Sequence, residues 1–162
     1  MNPQPDITYQ SGSGRFNYRV AGVIVHDGRV LVMSDERLPY YYLPGGRVRL
    51  HESSQEALER EVAEELGVPL AVGDLLWVHE NFFVEAVTRE RYHEVCFYYQ
   101  LRLFGEIPWA GVDEFSREEG TLTHHFRWMA LGDLNAHTVF PTFLADRLGA
   151  PGDGPVHVVE RR

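Results

Sequence analysis

Residues Gly45 to Val68 read GGRVRLHESSQEALEREVAEELGV, and this stretch decides how the rest of the 162-residue chain is read. Its second half predicts a helix with both ends marked. Ser53 suits the N-cap, and Glu56 can reach back to close a capping box. Gln55 to Leu66 holds strong helix formers and neither proline nor glycine. Gly67 stands where a left-handed C-terminal residue is wanted, and Pro69 cannot continue the helix. Leu58, Val62 and Leu66 recur at four-residue steps as an apolar stripe. Beside the stripe, Glu61, Glu64 and Glu65 fall at i, i+3 and i+4, so their carboxylates leave one patch of the helix.

Like charges one turn apart repel, and only Arg60 within Gln55–Leu66 is basic. A solvated acidic face is one reading. The other places a hard divalent cation among the oxygens: Mg²⁺ and Mn²⁺ prefer oxygen ligands and recruit substrate phosphates as further ones. Pro44-Gly45-Gly46, just ahead, favours the cation, because bare backbone there can approach a ligand closely. Gly46, five residues, Glu52, seven residues and then Arg60 to Val68 match the Nudix box at every fixed position. On these residues the chain resembles the Nudix hydrolases.

The resemblance implies an α/β fold, the Nudix fold, in which a mixed β-sheet is sandwiched between helices (α/β/α). It implies hydrolysis of a nucleoside diphosphate linked to another moiety, such as a nucleotide or nucleotide sugar, by attack of water on phosphorus. Glu61, Glu64 and Glu65 then match the Mg²⁺ or Mn²⁺ ligands, with the backbone carbonyl next to Gly46 as a further one. Arg60 matches the box arginine and Glu52 the first box glutamate; Arg60 can pair with Glu52 or Glu61 and hold a carboxylate in its ligating pose. Glu64 or Glu65 serves as the base. Some members carry a further glutamate just before a Trp-Met in a late strand, where this chain has Arg127 before Trp128-Met129. A fourth carboxylate then comes from Glu94, the favoured choice, or from Glu80, Glu114, Glu118 or Glu119.

Three other side chains are candidates for holding substrate. Arg47 and Arg49 offer local positive charge to an anion, or form a solvated strand edge. Among Tyr40, Tyr41 and Tyr42 alternate rings are buried, and an exposed one, Tyr42 being the choice, can stack on a base. His79, His93, His124 and His125 read as surface or hydrogen-bonded histidines rather than catalysts.

The remaining chain fits one domain over 15–150, with a loose polar arm at 1–14 and a Pro- and Gly-rich tail at 151–162. Phe16–Val25 and Val30–Met33 read as strands joined at Asp27-Gly28, a hairpin signal. Further strands are expected at Leu75–Val84, Glu94–Leu103 and His125–Ala130, a long surface loop at 105–120 and a closing helix at Phe140–Leu148. A net charge of −9 argues against nucleic acid as a partner. No apolar run nears the ~20 residues that span a membrane, and no secretory signal opens the chain. The lone Cys96 fits a reducing cytoplasm. A homodimer is a further expectation. The competing functions are a Nudix-fold nucleotide-binding module without catalysis, a hydrolase of dinucleoside polyphosphates, and an isoprenyl-diphosphate isomerase that would need Cys96 reactive.

Overall fold

The computed structural model describes residues 4–149 and 152–162. In chain order the strands are β1 (Thr8–Ser11), β2 (Gly14–Val23), β3 (Val25–His26), β4 (Arg29–Asp35), β5 (Tyr41–Tyr42) and β6 (Gly45–Arg47). Helix α1 (Ser54–Leu66) follows, then β7 (Leu70–Val84), β8 (Arg91–Leu103), β9 (Glu114–Glu119) and β10 (Leu122–Ala130). A 3₁₀ turn at Leu131–Ala136, β11 (Val139–Phe140), α2 (Leu144–Leu148) and β12 (Val156–Arg161) complete the chain. The strands form two mixed sheets. One runs β1-β2-β8-β7-β12 with β6 added to β2; the other runs β11-β5-β4-β10-β9 with β3 added to β4.

Strand alternation divides the core in two. On one side Val20, Leu31, Met33, Tyr99 and Phe126 meet Ala57, Leu58, Val62 and Leu66 of α1. On the other, Ala21, Val30, Val32, Tyr98 and Met129 meet Leu134 of the 3₁₀ turn and Leu144 of α2. Adjacent residues of one strand therefore serve opposite layers, which is the helix–sheet–helix sandwich expected. Leu58 and Leu66 are wholly buried, each contributing about 1.5–3 kcal/mol relative to exposure.

The ends of α1 are as read. Ser53 accepts from the Glu56 N–H at 3.2 Å, and the Glu56 carboxylate accepts from the Ser53 N–H at 2.8 Å. Gly67 closes the helix in the left-handed region at φ 65°. Ser53→Ala is expected to cost about 1 kcal/mol, visible as a lower midpoint in urea unfolding with an unchanged slope.

Four segments differ from their sequence reading. The arm expected over 1–14 contains β1, antiparallel to β2, where the Thr8 hydroxyl lies 2.9 Å from the Phe16 carbonyl and 2.7 Å from the Asn17 amide oxygen. The tail expected over 151–162 contains β12, parallel to β7 with Val158 opposite His79. Both edge strands are held chiefly by main-chain pairing, so their side chains carry little apolar signal. The ends of these two expectations at residues 1–3 and 151 lie outside the described residues, as does residue 150 of the expected domain. The loop expected over 105–120 includes β9, whose one inward aromatic, Phe115, stacks on Trp109 and Phe126. The closing helix shrinks to α2, because Phe140 is used instead in a parallel pairing with Tyr42. No helix of the described residues is long and apolar enough to cross a membrane.

Candidate active site

Strand β6 lies antiparallel to β2, with Gly46 opposite Val20 and Gly45 opposite Ala21, and it presses the two glycines against α1. The Gly45 N–H donates to Glu65 at 3.2 Å. At Gly46 the absence of a side chain is filled by the Glu61 carboxylate, which occupies the place a Cβ would take. Arg60 ties this loop to the helix. Its Nε and Nη2 donate to the two Glu52 oxygens at 2.6 and 3.0 Å, its Nη1 to Glu61 at 2.5 Å, and its Nη2 also to the Arg47 carbonyl at 3.1 Å. Glu52 in turn accepts from the Arg49 N–H at 2.9 Å. Arg60 thus pairs with Glu52 and Glu61 together, so Glu52 holds the arginine and the arginine holds Glu61.

The carboxylates differ in environment. Glu65 is buried at 5% exposure. Burial first, then the charges of Glu61 and Glu119, raise its pKa well above the ordinary range. Burial also raises that of Glu61, against the opposing hydrogen bond and charge of Arg60. Glu64 is the open one, with 40% of its side chain exposed and Arg60 Nη1 at 3.6 Å. Glu119, on β9 and 2.8 Å from His124 Nε2, bears on both Glu61 and Glu65. Of the carboxylates named as a possible fourth, Glu119 is the one whose charge bears on both, while the favoured Glu94 stands in the cavity described below. Arg127 sits apart, donating to the Tyr41 hydroxyl at 3.3 Å.

Glu52 is held below the ordinary carboxylate range by the Arg60 hydrogen bond above all. A depressed carboxylate stabilises the fold above its unfolded pKa, and this contribution disappears as pH falls through the folded value. Glu52→Gln is therefore expected to cost about 2 kcal/mol near neutrality, and the gap from wild type should close in acid. Urea midpoints of both proteins measured from pH 7 to pH 3 read this; a gap that stays constant would contradict it.

Beside the carboxylates opens a cavity of about 610 Å³, lined at one point by Gly45, Glu65 and His124. Its floor is one face of the first sheet. Arg19, Cys96 and His79 stand side by side across β2, β8 and β7, and Asn17, Glu94 and Asn81 form the next row. The facing wall includes Asp35, Arg37, Tyr40, Tyr42 and Phe140. Tyr42 and Glu94, two of the candidates for holding substrate, both line this cavity. Arg47 and Arg49 are not among the lining residues; both lie beside Asp6, at 3.7 and 3.8 Å. Arg19, Asp35 and Asn81 carried no sequence signal, since each occupies an ordinary strand position and meets the others only across the sheets.

Burial pushes the Cys96 thiol up to about 12, so it is protonated and unreactive near neutrality. Burial thus disfavours the reactive thiolate that the isomerase reading needs at Cys96.

The NUDIX domain family model matches residues 17–146. This chain belongs to the Nudix family. Among relatives, it is 40% identical over 63 residues to a MutT-like protein of Streptomyces ambofaciens, covering 38% of this chain and 41% of that one. It is 34% identical over 66 residues to a CTP pyrophosphohydrolase of Escherichia coli, covering 38% and 49%. The chain spans less than half the length of either curated relative. Among solved structures, a MutT Nudix hydrolase from Burkholderia pseudomallei is 29% identical with a TM-score of 0.58, covering 80% of this chain and 95% of that one. In this Nudix domain the matched segment contains α1, β6 and all the carboxylates of the cluster.

Among the described residues, no three His, Cys, Asp or Glu side chains converge as they stand on one cation position. The donor set nevertheless suits a hard divalent cation. It is all oxygen, and the charges of Glu61, Glu65 and Glu119 act on one another, with Arg60 bonded to Glu61 and His124 against Glu119. Glu61 and Glu65 reach the same glycine pair from successive turns of α1.

Proposed function

We propose that this Nudix protein is a divalent-metal-dependent pyrophosphohydrolase that cleaves a nucleoside diphosphate linked to a further moiety, with water attacking phosphorus. The observation that carries this reading is the Arg60 fork, which fixes Glu52 and Glu61 beside Gly45–Gly46 at the edge of a cavity of nucleotide size. Glu61, Glu64, Glu65 and the carbonyl beside Gly46 would hold Mg²⁺ or Mn²⁺, with Glu119 as a further oxygen. The bound cation supplies charge neutralisation at the phosphates and acidifies water.

The chain's own residues do the rest. Arg60 keeps Glu61 in place through the hydrogen bond from its Nη1. Glu65 is immobilised by the Gly45 N–H and by burial. Glu64, the exposed member, is assigned the proton from the attacking water, because it can pass that proton on to bulk solvent. Tyr42 bounds the cavity across from the sheet, its hydroxyl donating to Asp35 at 3.0 Å, so its ring is fixed for contact with a planar group. A cytoplasmic setting suits the buried thiol.

The test is a panel of nucleoside triphosphates, nucleotide sugars, ADP-ribose, NADH and dinucleoside polyphosphates with Mg²⁺ or Mn²⁺, products being separated by chromatography. One preferred compound cleaved at a phosphoric anhydride supports the reading. Silence across the panel together with tight nucleotide binding would replace it with the binding module.

A further inference from the structure

Most charged and polar groups of the cavity already have partners. Asp35 accepts from Arg37 and from the Tyr42 hydroxyl, with Arg37 Nη2 at 3.1 Å and Tyr42 at 3.0 Å. Asn81 Oδ1 accepts from Arg162 at 3.1 Å; buried His79 Nε2 lies 2.9 Å from Glu160 without a hydrogen bond to it. Two groups stand out. Among the described residues the Arg19 guanidinium enters no hydrogen bond or ion pair; burial disfavours its charge, and the charge of Glu94 above all outweighs that and raises its pKa. Glu94 has a single long contact, 3.4 Å from the Asn17 amide. Register puts them diagonally across the β2–β8 pair, Arg19 opposite Cys96 and Glu94 opposite Asn17, so both project from the same face of the floor.

The pair constrains what can bind. Arg19 offers only donors in a planar fork, and ionised Glu94 offers only acceptors. A phosphate on Arg19 would face the carboxylate and be repelled. A neutral planar edge that carries two acceptors and then two donors meets both at once. Guanine has that edge: N7 and O6 accept, and N1–H and the 2-amino group donate. Adenine turns the 6-position into a donor and N1 into an acceptor, which sets donor against donor and acceptor against acceptor. Cytosine satisfies the arginine but offers Glu94 one amino group. The opposite wall supplies aromatic surface, with the Tyr40 and Phe140 rings 4.9 Å apart, edge to face.

We infer that Arg19 and Glu94 form a guanine-reading pair in the cavity floor, Arg19 donating to N7 and O6 and Glu94 accepting from N1–H and the 2-amino group. This rests on the proposed hydrolase reading, which it narrows to guanine nucleotides. An 8-oxoguanine, protonated at N7, loses one acceptor and binds less well.

The experiment is calorimetry of the full chain with GMP, IMP, AMP and CMP, without metal, so that binding is read independently of hydrolysis. GMP is expected to bind about tenfold or more tighter than AMP, and measurably tighter than IMP, which lacks the 2-amino group. Glu94→Gln, of unchanged shape, should bring the GMP-to-IMP ratio close to one; Arg19→Met should abolish the preference over AMP. AMP or CMP binding as tightly as GMP, a GMP-to-IMP ratio unchanged in Glu94→Gln, or no GMP binding at millimolar concentration would each overturn the inference. A guanine preference without turnover would sink only the hydrolase reading; turnover on adenine compounds without that preference would sink only this one.

Discussion

Glu64→Gln is expected to lower kcat/KM on the preferred substrate by about 10²–10⁴-fold while leaving the fold intact. The two halves of that statement come from different observations. Glu64 is 40% exposed, and its contact within the fold is a 3.6 Å approach to Arg60, so the amide should change stability by no more than about 0.5 kcal/mol. Its place beside Glu61 and Glu65, however, puts a solvent-open carboxylate at the proposed site. Glu65→Gln should differ in a telling way. A carboxylate with a raised folded pKa contributes stability only below its unfolded pKa, and loses it as pH rises through the folded value. At neutral pH the metal-free Glu65→Gln variant should therefore be more stable than wild type, and still inactive. Thermal melts in a chelator and initial rates in Mg²⁺ measure both quantities. Turnover within a few-fold of wild type in Glu64→Gln would end its assignment as the base.

The helix and its box were legible because their signals are local. Ser53, Glu56 and Gly67 lie within a turn of the boundary they set, and the caps form as the residue types dictate. Asp27-Gly28 was legible for the same reason: both residues have positive φ, 50° and 71°, which is what a tight hairpin requires. Pairing between distant segments was not. Strands β1, β9 and β12 have mostly exposed or half-buried side chains, so no alternation of apolar residues marks them. The approach of Glu119 to the cluster was hidden on the same ground. Glu94 and Glu119 are both glutamates on strands, and only the placement of β9 on β10 carries Glu119 to α1. Arg47 and Arg49 looked available because Asp6, which lies beside both, sat in a segment read as loose.

The adjacent glycines of the box should fail in opposite ways when a methyl group is added. Gly45 has φ 155°, and a Cβ there would be driven into the Val20 carbonyl and within 2.7 Å of the Ala21 Cα. Both obstacles are backbone of the central strand β2, which cannot step aside without breaking its pairing with β6 and β8. Gly45→Ala is therefore expected to cost about 3 kcal/mol or more, a fall in Tm of roughly 10 °C. Gly46 has no such strain. The three atoms nearest a Cβ there all belong to the Glu61 carboxylate, the far end of a flexible side chain. That carboxylate can swing away at little cost, but doing so takes it off Arg60 and out of the cluster. Gly46→Ala should keep a near-native Tm and lose about 10–100-fold in kcat/KM, the scale at which disturbing a ligand's support is felt. Melting curves and kinetics on the two variants separate the roles. Equal melting temperatures would show that β2 yields more readily than its pairing suggests, and full activity in Gly46→Ala would show that the position of Glu61 against the glycine has no part in the reaction.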